Sequence, residues 1–95
     1  MLSGKQKRYL RSLAQNQRAM FQIGKDGLSD NLINTVDEAL EAHELVKIKF
    51  LKTVSEDHDE IAFDLAMHTE SEIVQTIGHT IVLYRRAREP KIILP

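Results

Sequence analysis

Ile23-Gly24-Lys25-Asp26-Gly27-Leu28-Ser29 is the stretch on which the reading of this chain turns. Before it, Ala19-Met20-Phe21-Gln22-Ile23 is an apolar run suited to a strand; after it, Leu32 to His43 repeats apolar side chains at helical spacing. Two glycines around a Lys-Asp pair therefore make a strand-to-helix turn with bare backbone. Glycine lets a second molecule approach the main chain closely. The following helix aims its unpaired N–H groups and positive dipole end at the turn, a corner suited to a phosphate. A glycine pair alone usually does no more than turn the chain. An acid is tolerable in such a corner only if it folds back onto the helix N–H groups, so Lys25 is expected outward and Asp26 turned back.

Upstream, Ser3 to Asn16 reads as a helix capped by Ser3. At about 100° per residue, Leu2, Tyr9, Leu10, Leu13 and Ala14 share one arc and Lys5, Lys7, Arg8, Arg11 and, if the helix reaches it, Arg18 the other. No acid is interspersed, so the basic arc repels itself unless a polyanion relieves it. Downstream, Ser29 caps a helix from Asp30 to about His43, with Leu32, Ile33, Val36, Ala39 and Leu40 inward. Glu44 to Lys52 alternates: Val46, Ile48 and Phe50 pack, while Leu45, Lys47, Lys49 and Leu51 form a wet face. Strand, helix and strand predict a parallel pair with a right-handed crossover. A third helix is expected from Asp59 to Thr69, with Ile61, Ala62, Leu65 and Met67 inward, although Ile61-Ala62-Phe63 also admits the start of a strand. Glu72 to Ile77 and Thr80 to Arg85 read as a hairpin about Gly78-His79. Its second strand is apolar on both faces and so interior. Ile92-Ile93-Leu94 is an apolar tail that packs back or adds an edge. The expected fold is α+β, one domain over residues 1–95, in the order α-β-α-β-α-β-β with a four-stranded mixed sheet.

The formal net charge is −1 and the pI about 6.4, which by themselves speak against a nucleic-acid partner. The order of the charges says otherwise. Six basic residues and no acid precede Asp26; six acids and no base run from Asp26 to Val46; Lys47, Lys49 and Lys52 follow; seven acids and no base fill Thr53 to His79; and Arg85, Arg86, Arg88 and Lys91 face only Glu89. If the basic blocks fold together, the molecule is dipolar, with one positive and one negative surface.

Chemistry for catalysis is missing. With no cysteine, disulfides and thiolate metal sites are excluded. His43, His58, His68 and His79 lack metal-ligand spacing, His58 between Asp57 and Asp59 reads as an acidic turn, and Gly24-Lys25-Asp26-Gly27 lacks the ending of a Walker loop. No catalytic residue, metal or cofactor is expected, and no enzyme. The N-terminal segment is charged rather than a signal core, and no long apolar run occurs, so a cytoplasmic protein without membrane contact is expected. Phe21, Phe50 and Phe63 sit at core-like positions, and Tyr84 is either core or a platform beside Arg85 and Arg86. Recognition should then rest on phosphates and shape rather than on stacked bases.

Four stretches line up in order: Leu2-Ser3-Gly4-Lys5-Gln6-Lys7-Arg8-Tyr9-Leu10, Ile23-Gly24-Lys25-Asp26-Gly27-Leu28, Ala39-Leu40-Glu41-Ala42-His43-Glu44-Leu45-Val46-Lys47-Ile48-Lys49, and Ile77-Gly78-His79-Thr80-Ile81-Val82-Leu83-Tyr84-Arg85. Jointly they resemble the CRM domain (chloroplast RNA splicing and ribosome maturation) in its bacterial stand-alone, YhbY-like form. The resemblance implies RNA binding, with a GxxG loop compared to that of KH domains, and a fold similar to the C-terminal domain of translation initiation factor 3. It also implies association with precursors of the large ribosomal subunit. The expected partner is thus structured RNA of the 23S type, with no small-molecule substrate. By matching motif, Gly24, Lys25 and Gly27 carry over as RNA-contacting. Lys5, Lys7, Arg8, Arg11, Lys47, Lys49, Arg85 and Arg86 join them from charge and geometry alone. The alternative is an adaptor whose acidic surface (Asp37, Glu38, Glu41, Glu56 to Glu60) meets a basic ribosomal protein.

Overall fold

The computed structural model describes residues 1–25, 27–54 and 57–95. Its elements follow the expected order: α1 (Gly4–Gln15), β1 (Phe21–Ile23), α2 (Asp30–His43), β2 (Leu45–Phe50), α3 (His58–Thr69), β3 (Glu72–Ile77) and β4 (Thr80–Tyr84). Local chemistry sets the helix starts. Ser3 and Gln6 form a reciprocal capping box on α1, the Ser29 side chain accepts from the Leu32 N–H, and Asp57 accepts from the Asp59 N–H.

The sheet order is β1-β2-β4-β3. β1 runs parallel to β2, and β4 pairs antiparallel with β2 and β3, so the strand with apolar residues on both faces is interior. Alternation then sorts the side chains into two cores. Val46, Ile48, Phe50, Ile81 and Leu83 pack against Val36 and Leu40 of α2 and Ile61 and Leu65 of α3. On the other face Leu45, Val82, Tyr84 and Val74 pack against Leu10 and Ala14 of α1, with Ile92 and Leu94 of the tail. One face is thus fully roofed by two helices. The other is roofed only at the end where Leu45 pairs with Tyr84.

Four expectations change. Leu45 is buried rather than wet, because α1 and the tail cover that end of the sheet. Tyr9 and Leu13 are only flank residues of α1, each more than a third exposed; Leu10 and Ala14 carry its packing. On α3 the inward stripe is Ile61, Ala62, Leu65, Ala66 and Thr69, so Met67, two residues after Leu65, swings outward. Phe63, two residues before Leu65, does the same and leaves the core for solvent. Among the described residues no helix is long and apolar enough to cross a membrane.

Candidate nucleic-acid interface

Gly24 to Gly27 close a four-residue turn in which the Gly27 N–H donates to the Gly24 carbonyl at 3.0 Å. Gly27 takes φ 64°, a conformation that favours glycine. Gly24 has no such need: among the described residues a methyl added there would meet only Leu51 Cδ1, at 3.4 Å. The described surroundings therefore leave room for a methyl at Gly24. Lys25 is exposed. Asp26, expected to turn back, lies outside the described residues.

The turn stands at the C-terminal end of β1, tied to the end of β2 by the Leu51 N–H on the Ile23 carbonyl at 2.9 Å. Here the α1 face of the sheet is bare. Gln22 pairs with Lys49, Lys49 with Thr80, and Thr80 with Ile77, giving one row across all four strands. These residues are half-buried or exposed and none is acidic. One flank of α1 leans to the tail, where the Gln6 amide reaches the Pro95 carbonyl at 3.3 Å. The opposite flank carries Lys7 and Arg11, one turn apart, and the outer crest carries Lys5 and Arg8. Among the described residues none of Lys5, Lys7, Arg8, Arg11, Lys25 and Lys49 is in an ion pair.

Two predicted contacts are employed elsewhere. The Lys47 ammonium donates to the Ala14 and Gln17 carbonyls, at 3.2 and 3.1 Å. It therefore caps the C-terminus of α1, a helix without a basic residue in its last turn. Arg85 bonds the Asp37 carboxylate, the Asp37 carbonyl and the Thr69 carbonyl, and pairs with Glu41 at 3.6 Å. It clamps α2 and α3 to the end of β4, its charge already met. Arg86 remains exposed. It stands, however, at the opposite end of the sheet from Gly24, roughly 17 Å away by the length of β2. The three basic blocks do not all share one surface. Tyr84 is core, 7% exposed, and no stacking platform.

Lys47→Met should lower stability by about 1–2 kcal/mol, the loss of a charged donor on two carbonyls. RNA affinity should stay within about twofold of the parent. Thermal unfolding beside gel-shift titration checks this; a large affinity loss without a stability loss would return Lys47 to the interface.

Sequence reasoning passed over Gln22, Thr80 and Ile77. Only the strand register puts them beside Lys49, although the period-2 alternation that placed Lys49 was a usable signal.

The comparisons with known proteins agree with this architecture. The CRS1 / YhbY (CRM) domain family matches residues 2–85. "Probable RNA-binding protein YqeI" of Bacillus subtilis is 50% identical over 91 residues, covering 96% of this chain and 95% of that protein. An "RNA-binding protein" of Haemophilus influenzae is 38% identical over 94 residues, covering 99% and 95%. The solution structure of the hypothetical protein SAV1595 from Staphylococcus aureus superposes with a TM-score of 0.84 at 51% identity, each chain covered completely. On the family match and these relatives, the chain belongs to the CRS1 / YhbY (CRM) domain family.

Proposed function

We propose that the chain is a non-enzymatic, cytoplasmic RNA-binding protein that associates with 23S-type rRNA in large-subunit precursors and assists ribosome assembly. The observation that carries the RNA reading is the bare half of the sheet. It holds a row of neutral and basic side chains, walled by Lys7 and Arg11 and ending at a glycine turn that presents Lys25. Cations held by helix and strand suit backbone phosphates, and the scarcity of exposed aromatics there favours shape over base stacking. The ribosomal part of the reading rests on the family resemblance.

Six phosphates met by Lys5, Lys7, Arg8, Arg11, Lys25 and Lys49 would give log affinity against log salt a slope of roughly −4 to −5. In-cell crosslinking with mapping of the bound RNA tests the ribosomal part: large-subunit rRNA joined to Lys25 or Lys49 supports it, and crosslinks confined to other RNAs would overturn it. Gly24→Ala separates site from turn. Its φ is permitted, so stability should hold or rise by a few tenths of a kcal/mol, while RNA affinity falls by about fivefold or more as the methyl keeps a phosphate away. Unchanged affinity would leave Gly24 a plain turn residue.

A further inference from the structure

We propose that the outer face of α3 is a docking site for a Lys/Arg-rich protein segment carrying an apolar anchor. Phe63 and Met67 lie one helical turn apart on the crest of α3 and are 57% and 63% exposed. Large apolar side chains in this number on one turn are an exposed patch, not scattered surface. The crest is fringed by carboxylates. Asp59 falls to one side of it and Glu60 and Asp64 to the other, at about 100° per residue. Asp59, Glu60, Phe63 and Asp64 line one shallow hollow. Among the described residues none of these three acids is in an ion pair.

Charge selects the occupant. Carboxylates on both flanks repel RNA and anionic lipid but attract lysine and arginine, and the apolar pair gives such a segment something to bury. This face lies across the sheet from the bare half described above, since α3 packs on the α2 side. A basic segment on α3 and an RNA beside Lys49 can therefore be held together. The proposal stands on the α3 crest alone and does not require the RNA reading.

The test uses the full chain and a labelled Lys/Arg-rich peptide bearing Leu and Phe one helical turn apart. Amide shifts on titration should concentrate on α3, around Phe63 and Met67. The double variant Phe63→Ala/Met67→Ala should bind the peptide at least about tenfold more weakly, with thermal stability and RNA affinity unchanged, since both side chains are exposed. A peptide with Ser in place of its Leu and Phe should lose as much. Shifts centred elsewhere, equal affinity for the Ser peptide, or no effect of the double variant would each overturn the proposal. So would sedimentation showing the chain self-associating through this face, which would give it to a second copy.

Discussion

Glu44→Ala should lower the stability of this domain by about 3 kcal/mol and its Tm by roughly 12–24 °C. No part of Glu44 is solvent-exposed. Its carboxylate accepts from three backbone N–H groups of the C-terminal tail: Ala87 at 3.0 Å, Lys91 at 2.6 Å and Ile92 at 2.7 Å. Its own carbonyl accepts from the Arg85 N–H at 3.0 Å. The side chain thus folds residues 87–92 back over the sheet and seats Ile92 and Leu94 on the second core. Charge-assisted hydrogen bonds contribute about 1.5–3 kcal/mol each when left intact, but a released tail can rehydrate its N–H groups, which brings the sum down. Glu44 also sits at φ 67° at the end of α2, a strained conformation for a side chain. Glu44→Gly should therefore cost about 1 kcal/mol less than Glu44→Ala. Calorimetry at neutral pH reads the loss, and hydrogen exchange should show Ala87, Lys91 and Ile92 deprotected. A loss under about 1 kcal/mol would mean that the tail is held by its apolar side chains alone.

The same site sets an acid limit. Burial pushes the Glu44 carboxyl up, but the Ala87, Ile92 and Lys91 N–H groups and the nearby Arg86 outweigh it and hold the group below 4.5. The unfolded chain then takes up the proton more readily than the folded one. Stability from this carboxylate is complete above pH 4.5 and drains as the pH falls through the lowered value. Glu72 adds to the loss in the same window. Burial raises it, and the Leu2 N–H at 2.9 Å and the N-terminal ammonium at 3.2 Å overcome that and lower it. Glu44→Gln should flatten the pH dependence while lying between parent and alanine in stability at neutral pH.

What could be read from the chain was whatever neighbours in sequence decide. Ser3 and Ser29 cap helices through residues three positions away. The alternation of Val46, Ile48 and Phe50 marks a packed face, and β4 is apolar on both sides because it is interior. What could not be read depends on partners far along the chain. Lys47 looked like a wet-face cation because nothing near it reveals that the end of α1 will lie above it, 30 and 33 residues upstream. Arg85 looked like a free cation because Asp37 is 48 residues away. Glu44 passed as the first residue of a strand. At the candidate site the glycine turn and Lys49 were legible, but which half of the sheet stays bare follows from where α1 crosses it. Phe63 misled for a simpler reason: aromatic character outweighed the 100° step that puts it opposite Leu65.

Charge reversal at Arg11, Lys25 and Lys49 together should weaken binding to structured RNA by about 100-fold at physiological salt. Each lost phosphate contact forfeits the release of one condensed counterion, about four- to fivefold at that salt, and three such losses multiply to this figure. The three side chains come from the α1 flank, the glycine turn and the centre of the bare sheet, so only a ligand spanning that surface feels all of them. The salt slope should shrink by about 2–3, and RNAs of different sequence should lose affinity alike, because phosphates carry no sequence. Reversal at Arg86 and Arg88 gives the contrast. Both are exposed, but they leave the sheet at the end occupied by the tail and Glu44, beyond the far end of β2 from Gly24. That double variant should cost under about threefold, as a long-range charge effect screened beyond about 8–10 Å. Filter binding of all three proteins over a salt series decides between the two ends. Were the Arg86/Arg88 variant to lose as much as the triple variant, the RNA would run along the tail end of the sheet, and the bare half would be an unroofed edge of the fold. If only the triple variant fails and its unfolding midpoint matches the parent's, the loss belongs to the surface and not to the fold, since none of its three cations is buried.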